Sequence, residues 1–422
     1  MRIITLEPYQ FDTFASNHKY SNYYQSSSYA NTMAQNGFNV HYLGIKDNNN
    51  TLIGATLLIY KEIFMSQKIA YAPRGILFDY SNANNVKELS LKLKQVLGKQ
   101  GFIILRMDPY IPATVRNKSG KVLNVNKDVN QIMKNIKAAG FTYKGQNKFF
   151  ENELPRYEAI CILNKDPKII FKNLSKRTRH KINRASGCGI TIINDQEKNV
   201  NKLYSYIKEK TNLSKKYIKD MVENYKSSNI YYAVLNTDSF VIEAKKRYER
   251  ELDKNDMLAQ KIQSSRINNN NIKKKTLNSK MESDKLINVY KNDLVLATNL
   301  LKTYPKGLII GAAFTIEYNN VSYLIIDGFD EKYKHLNCSY LLKWYIINEC
   351  SKKGLKYFNM NAIVGEFKRR NPYSNLNEMK LGFNTVPTEY IGEFDLILNN
   401  FNYSIYKGFS KDKNYKLKHE PR

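Results

Sequence analysis

The stretch GLIIGAAFTIEYNNVSYLIIDGF (307–329) decides the fold. It holds two apolar runs separated by Asn-Asn, and this pattern predicts two consecutive strands. Downstream, the pattern predicts an apolar helix in SYLLKWYIINECSKKG (339–354), ending at its final glycine, and another strand in KYFNMNAI (356–363). Upstream, IYYAVLN (230–236) predicts a strand that forms a hairpin with the first of the two runs. The second half of the chain therefore has the order hairpin, strand, helix, strand.

The first half of the chain repeats this order. Its pattern predicts a hairpin from NVHYLGI (39–45) and TLIGATLLIY (51–60), and a third strand in IAYAPRGILF (69–78). A helical stripe over 86–97 and the buried strand GFIILRMDPY (101–110) follow. This is the core order of the acetyltransferase-like (GNAT) fold. We therefore predict a mixed α/β (α+β) protein with two tandem GNAT-like domains.

The two predicted hairpins differ in their connection, which is a short Asn-rich turn in the first and residues 237–306 in the second. The long connection has a helical pattern on both sides of the Asn run at 268–271, which predicts an antiparallel coiled-coil arm over 238–303. The predicted seam consists of Tyr248, Leu252, Asn255, Ala259 and Ile262 on one helix and Leu286, Tyr290, Leu294, Ala297 and Leu301 on the other. A binding role and a solvated spacer both stay open for this arm.

These patterns predict three parts of the chain. The first GNAT-like domain covers 1–153, and the second covers 154–395 with the arm inserted. The tail, 396–422, is expected to pack back on the first domain.

The chain is strongly basic. Its 422 residues include 67 Lys and Arg against 38 Asp and Glu, a net charge of +29. Such a charge attracts nucleic acid or an anionic membrane face. A compositional bias toward Lys and Asn is the alternative explanation. Apolar residues make up 42% of the chain, which indicates a folded protein rather than a disordered polybasic one.

Cysteine spacing and the N-terminus point to a reducing, cytoplasmic location. Cys161, Cys188, Cys338 and Cys350 are widely spaced, which favours neither a zinc site nor a disulfide framework. The start MRIITLEPYQF lacks the pattern of a signal peptide, and the longest apolar run is too short to cross a bilayer. We expect a cytoplasmic protein that can touch the membrane face peripherally.

The most basic stretch is LSKRTRHKINRA (174–185). If this stretch and the residues just before it form a helix, the helix has an apolar face and two basic ridges. The apolar face consists of Phe171, Leu174, Thr178, Ile182 and Ala185, and the ridges of Lys172, Lys176 and Arg179 and of Arg177, Lys181 and Arg184. Such ridges suit phosphate oxygens, although a solvated cationic helix is the alternative. The following RASGCG (184–189) matches the R-x-x-G-x-G pattern of coenzyme A binding. It follows a helix instead of opening one, so it reads as a C-cap.

Several motifs together resemble the Fem-type ligases (the FemABX family). They are YAPRG (71–75), LRMDPY (105–110), KRTRHKINRASGCGI (176–190) and MKLGFNTVPTEYIGEFDLILN (379–399). The resemblance covers nearly the whole chain. It implies an aminoacyltransferase that moves an amino acid from aminoacyl-tRNA to an amine of a peptidoglycan precursor, building the interpeptide bridge of the cell wall.

The resemblance also implies site residues. By position, Lys380 matches a lysine close to the reacting centre, Asp108 an aspartate near the acceptor peptide, and Arg179 a phosphate-binding arginine. Lys380 and Asp108 are the predicted catalytic residues. The predicted substrate-binding residues are Arg179, Arg177, Lys181, Arg74 and Tyr217. Family members that bind the soluble precursor use a lysine in the first helix. Met33 stands about there in this chain, which favours a lipid-linked acceptor over a UDP-linked one.

The implied chemistry needs no metal, ATP or organic cofactor, because an aminoacyl ester is already activated. Aminoacyl-tRNA is the co-substrate. The expected partners are this tRNA, the lipid-linked or UDP-linked muropeptide precursor, the inner membrane face and related Fem-type ligases. Two other classes stay open: an RNA-binding protein without turnover, and a GNAT-type small-molecule N-acyltransferase, against which the misplaced glycines argue.

Overall fold

The computed structural model describes residues 1–63, 66–149, 153–163, 166–267, 273–368 and 370–409. The strands are β1 (Arg2–Thr5), β2 (Asn39–Lys46), β3 (Leu52–Glu62), β4 (Lys68–Ala72), β5 (Phe102–Met107), β6 (Pro112–Arg116), β7 (Val122–Val125), β8 (Thr142–Tyr143), β9 (Tyr157–Ile162), β10 (Ile190–Asp195), β11 (Ser228–Leu235), β12 (Leu308–Tyr318), β13 (Val321–Phe329), β14 (Tyr357–Ile363), β15 (Val386–Tyr390) and β16 (Phe394–Ile397). The helices are α1 (Pro8–Asn17), α2 (Ser27–Gln35), α3 (Ala83–Lys99), α4 (Val129–Ala138), α5 (Pro167–Asn173), α6 (Lys176–Ser186), α7 (Val200–Ile207), α8 (Lys215–Asn224), α9 (Thr237–Ile267), α10 (Lys274–Thr303), α11 (Cys338–Lys352), α12 (Ser374–Leu381) and α13 (Asn400–Phe409).

Two sheets organise the chain, and the predicted order occurs in both. The first sheet has the order β1-β2-β3-β4-β5-β16-β8, and the second β10-β11-β12-β13-β14-β9-β15-β6-β7. In each, an antiparallel hairpin (β2–β3 or β11–β12) leads to a strand that pairs in parallel with the strand beyond a helix. The helices that make these crossovers are α3 and α11. The predicted mixed α/β class with two GNAT-like units is confirmed.

The sheets exchange strands, and the predicted domain boundaries do not follow this exchange. β6 and β7 precede residue 153, yet β6 pairs with β15 in the second sheet. β16 pairs with β5 in the first sheet, so the predicted boundary at 395 falls inside a strand. The sequence pattern identifies such short strands poorly, and it contains no information about partners distant along the chain. Helix α13 contacts β5 of the first sheet, while residues 410–422 of the predicted tail lie outside the described residues.

Two local predictions need correction. The predicted strand 69–78 ends at Ala72, after which the chain turns through Arg74 at a positive φ of 53°. The helix predicted to carry Phe171 together with the basic stretch forms two helices, α5 and α6, because the chain leaves the helical conformation at Leu174 and Ser175. Ser175 caps α6 by accepting a hydrogen bond from the backbone N–H of Thr178. As predicted, α6 buries its apolar face.

Helices α9 and α10 form the predicted arm, and the Asn run at its tip lies outside the described residues. Its base is part of the second domain's core through Phe240, Ala244, Ala297 and Leu300. Farther out the seam is polar, since the Asn255 amide donates to Ser283 Oγ at 3.1 Å and to Asp284 Oδ1 at 2.9 Å. Ala259, predicted in the seam, is exposed. No helix in the described part of the chain, the arm included, has both the length and the apolarity to cross a membrane.

The arm's outer part should be removable and its base should not. We predict that replacing residues 249–289 with a short Gly-rich loop leaves cooperative unfolding near the parent's midpoint, because the base helices keep their core contacts. Deleting 240–302 also removes Phe240 and its buried neighbours. Loss of a buried Phe alone costs roughly 3–5 kcal/mol. Chemical denaturation of both variants checks this, and equal stability of the two would contradict it.

Candidate functional site

A cleft opens where β13 and β14 separate; we call it the strand cleft. The two strands pair in parallel only from Val321–Tyr323 to Tyr357–Asn359, a region that the structure describes completely. Beyond this pairing they enclose a cavity of about 370 Å³. Its lining residues are Tyr24, Glu153, Leu154, Pro155, Leu324, Ile325, Ile326, Asp327, Met360, Asn361, Ala362, Leu376 and Lys380. Both halves of the chain therefore contribute to this cleft.

Lys380 reaches the strand cleft from α12. Its side chain is buried, and Nζ donates to the backbone carbonyl of Ala362 at 2.7 Å. Burial lowers the pKa of Lys380 to about 8; nearby Asp327 acts in the opposite direction, and Lys343 adds to the lowering. At neutral pH Lys380 is thus a largely protonated cation that loses its proton far more readily than a surface lysine.

The segment Lys380–Phe383 connects this cleft to the basic helix α6. The backbone N–H of Ser175, the N-cap of α6, donates to the Gly382 carbonyl at 2.9 Å. A Cβ on Gly382 would lie 2.3 Å from Thr178 Oγ1, so glycine permits the close approach of α6 to the end of α12. The buried ring of Phe383 stacks on Tyr340 with centroids 5.9 Å apart. The motif that carried the resemblance therefore packs the segment of Lys380 directly against α6.

A second cleft, the helix cleft, lies on the other face of α12. Its volume is about 650 Å³. It is lined by Lys118, Ser175, Arg177, Thr178, Tyr340, Phe367, Lys368, Asn371, Ser374, Asn375, Asn377, Glu378, Leu381 and Gly382. Cationic and amide side chains predominate among the polar lining residues. Such a lining suits an anionic or hydrogen-bonding ligand.

The predicted phosphate-binding residues divide between two sides of α6. Arg177 lines the helix cleft, where its guanidinium pairs with Glu378. Lys181 donates to the hydroxyl of Tyr340, a lining residue, at 2.9 Å. Arg179 is half-buried on another side, with Nη1 donating to the Lys172 carbonyl at 2.8 Å. The structure thus brings Arg177 and Lys181 toward one cleft and places Arg179 toward α5.

Asp108 and Arg74 belong to a buried ion-pair network that joins the two sheets. Asp108 accepts from Tyr71 OH at 2.9 Å and from the Arg74 backbone N–H at 2.7 Å, and it pairs with Arg74 Nη1 at 3.2 Å. Arg74 Nη2 donates to Glu158 Oε1 at 2.7 Å and to the Pro155 carbonyl at 2.8 Å. Burial raises the pKa of Asp108 to about 7, although Arg74 opposes this shift.

This placement does not support substrate contact by Arg74 or amine contact by Asp108. Both are only 2% exposed, and neither is among the described residues that line the two clefts. Glu158, which sequence reasoning missed, is the centre of the network and also accepts from Asn359 Nδ2 at 2.7 Å. No local pattern in the sequence marks it, because its partners lie far away along the chain.

Tyr217 also lies away from both clefts. It is a residue of α8, 3% exposed, and packs in the core cluster that includes Tyr23 and Tyr225. A role in packing fits this position better than the predicted contact with substrate. Met33, at the position discussed in the sequence analysis, is fully buried in α2.

Comparison with known proteins agrees with this architecture. The model of the FemAB family matches residues 6–411. Aminoacyltransferase FemA of Staphylococcus epidermidis is 25% identical, over 98% of this chain and 100% of that protein. Aminoacyltransferase FemA of Staphylococcus aureus is also 25% identical, over 98% of this chain and 99% of its own length. The crystal structure of FemX has a TM-score of 0.71 at 17% identity, covering 96% of this chain and 99% of that one, which shows a shared fold.

The close contact at Gly382 gives a stability test. We predict that Gly382→Ala destabilises the protein by about 1–3 kcal/mol, because the new methyl group meets Thr178 Oγ1 while the local helical backbone accepts alanine without strain. Thr178→Ala in the same chain removes the clashing atom. Urea unfolding of both single variants and the double variant should show a cost smaller than the sum of the two. Simple additivity would show that this contact does not set the spacing of α6 and α12.

Proposed function

The chain belongs to the FemAB family, and we propose on this basis that it is an aminoacyltransferase that acts in the strand cleft. The proposed donor is aminoacyl-tRNA, and the proposed acceptor is an amine in the stem peptide of a peptidoglycan precursor. Lys380, a buried cation held at the wall of a cleft built by both halves of the chain, is the observation that carries this proposal.

The proposed reaction is a direct transfer. The neutral acceptor amine attacks the ester carbonyl, the new C–N bond forms, and the bond to the tRNA ribose oxygen breaks. The proton that the amine loses ends on that oxygen. The Lys380 ammonium faces the carbonyl oxygen and stabilises the negative charge that develops there. The Ala362 carbonyl holds Nζ in place, so little reorganisation is needed during reaction.

The cysteines are poorly suited to an acyl-enzyme route. All four are buried. Burial raises the pKa of Cys161 and Cys338 to about 12 and that of Cys350 to about 11. Burial also raises the pKa of Cys188, against the opposing effect of Arg247. Thiols with such pKa values are almost entirely protonated at neutral pH, and the thiol form is a weak nucleophile.

The glycines of RASGCG do not form a coenzyme A loop. Gly187 is the C-cap of α6, and Gly189 takes a positive φ of 75° immediately before β10. A pyrophosphate site of that kind requires a glycine loop that opens a helix, where free N–H groups meet the phosphate. The geometry therefore favours an ester donor over acetyl-CoA.

The finer choice of substrates rests on charge. The net charge of +29 and the basic residues of α6 support a polyanionic donor such as tRNA, and the diphosphate of the precursor as a second anion. Met33 is uncharged at about the position where the resemblance implies a lysine for binding the soluble precursor, which supports a lipid-linked acceptor over a UDP-linked one. Related Fem-type ligases and the inner membrane face remain proposed partners.

The pH dependence of turnover tests Lys380. We predict that the ratio of kcat between the wild type and Lys380→Met falls as pH rises through about 8, since the stabilising ammonium is lost above its pKa. The ratio removes the effect of acceptor ionisation, which both proteins share. Methionine retains the buried packing and removes a buried charge, so the variant should fold. Turnover is measured at saturating charged tRNA and acceptor, which gives kcat. If the ratio of wild-type to variant kcat instead rises through pH 8, Lys380 acts as a base and not as a stabilising cation.

Binding of the acceptor tests Arg179. We predict that Arg179→Ala weakens acceptor binding by roughly tenfold to a hundredfold with kcat little changed, because it removes one charge-assisted phosphate contact. Arg177→Ala, made in parallel, tests the residue that lines the helix cleft. Lys87→Ala, at an exposed position of α3, is the control for net charge. Direct titration of each variant with the acceptor measures its affinity. If only Arg177→Ala weakens acceptor binding, the phosphate contact lies in the helix cleft and not at Arg179.

A further inference from the structure

Asp327 is a second charged group in the strand cleft, and its carboxylate is held from one side. Its Oδ2 accepts from Lys343 Nζ at 2.5 Å and from Ser339 Oγ at 2.9 Å. Its Oδ1 accepts no hydrogen bond from any residue that the structure describes. The Asp327 side chain is 19% exposed, whereas that of Lys343 is fully buried. The protein therefore holds Oδ2 in place, and Oδ1 can accept a hydrogen bond from a ligand in the cleft.

The arrangement follows from the secondary structure. Ser339 and Lys343 are one helical turn apart on α11, so both side chains project from the same face toward β13. Burial opposes ionisation of Asp327, but the Lys343 ammonium outweighs it and holds the pKa of the carboxyl below its usual range. The Lys343 ammonium thus favours the ionised form of Asp327, and the two hydrogen bonds to Oδ2 fix its orientation.

The other carboxylate in the cleft lining is engaged differently. Glu153 pairs with Arg106 Nη1 at 2.9 Å, and its side chain is only 1% exposed. Among the described lining residues, Asp327 is therefore the carboxylate that presents an oxygen to the cavity. It shares the cleft with the cation Lys380.

A cation and an anion in one small cleft match the polarity of an α-aminoacyl ester. In that group the carbonyl oxygen gains negative charge during reaction, and the neighbouring carbon bears an ammonium. We propose that Asp327 Oδ1 binds the α-ammonium of the aminoacyl donor while Lys380 faces the donor's carbonyl oxygen. This inference rests on the proposed function, and it makes Asp327 a residue that selects α-amino acyl groups.

The acceptor amine fits Asp327 less well. It must be neutral to attack, and an ion pair with a carboxylate would favour its protonated, unreactive form. A carboxylate whose proton affinity is already reduced by Lys343 is also a poor base for that amine. The donor's α-amino group takes no part in the bonds that form or break, so its attraction to Asp327 as an ammonium assists binding without hindering attack.

A pair of donors tests the inference. One is tRNA charged with an amino acid, and the other is tRNA bearing the corresponding α-hydroxy acid, which lacks the ammonium. For Asp327→Asn we expect kcat/KM to fall by roughly tenfold to a hundredfold with the aminoacyl donor and little with the hydroxyacyl donor, as loss of a charge-assisted hydrogen bond implies. The preference of the wild type for the aminoacyl donor should largely disappear.

Two further variants separate binding from support of the fold. Ser339→Ala removes a hydrogen bond to Oδ2 but leaves the carboxylate, so it should retain the donor preference. Asp327→Asn leaves Lys343 buried without its partner; if that variant fails to fold, Asp327→Asn with Lys343→Met removes both charges of the pair. The double variant should then show the same loss of preference.

The outcomes distinguish the two proposals. If the wild type transfers from neither donor, the proposed function fails and the inference fails with it. If the wild type transfers the acyl group but the Asp327 variants lower kcat/KM equally with both donors, only the inference is overturned. A rise confined to the KM of the acceptor would also overturn it, because Asp327 would then contact the acceptor amine.

Discussion

The early separation of β13 and β14 is the constraint on which the site depends. After three paired residues on each strand, β14 bulges, and Asn361 takes a positive φ of 65°. Backbone groups of β14 that face the gap then need partners other than β13. The Ala362 carbonyl finds one in Lys380 Nζ. The same separation exposes one oxygen of Asp327, so the cavity and the positions of Lys380 Nζ and Asp327 in it have a common structural origin.

A second constraint fixes how the two sheets meet. Arg74 bridges Asp108 of the first half and Glu158 of the second, and its guanidinium lies over the rings of Tyr110 and Tyr390 at 5.3 and 5.1 Å. Removing one member of a buried network of this kind leaves an uncompensated charge, at a cost of roughly 3–5 kcal/mol. The network lies behind the strand cleft, since the Pro155 carbonyl that accepts from Arg74 belongs to a lining residue. Its ion pairs and hydrogen bonds link the two halves of the chain that line the cleft.

Much of the fold could be predicted from the sequence, because hairpins, crossover helices and the arm each leave a local periodicity. The exchange of β6, β7 and β16 could not, since pairing between distant short strands has no local signature. The break at Ser175 had a visible signal, since serine is a good N-cap residue and stands directly before Lys176 and Arg177. For the site, the motif around Lys380 led to a residue that lines a cleft, although its predicted catalytic role stays a prediction. The Arg74 and Asp108 motifs identified a structural junction instead, because a motif does not reveal whether a charged residue is exposed or paired in the core. Asp327 went unnoticed because a lone aspartate on a strand has no distinctive spacing.

Helix α12 directs the residues of one short motif into two different clefts. One face presents Glu378 to the helix cleft, and the other presents Lys380 to the strand cleft. Gly382 then lets α6 dock against the end of the same helix. The Arg177–Glu378 pair is exposed and contributes little to stability, so a ligand can compete for either partner at small cost. Lys380 differs, because only a buried position lowers its pKa to about 8. The two faces of α12 therefore differ in solvent exposure: the ion pair that faces the helix cleft is exposed and exchangeable, whereas Lys380 in the strand cleft is a desolvated charge with a fixed partner.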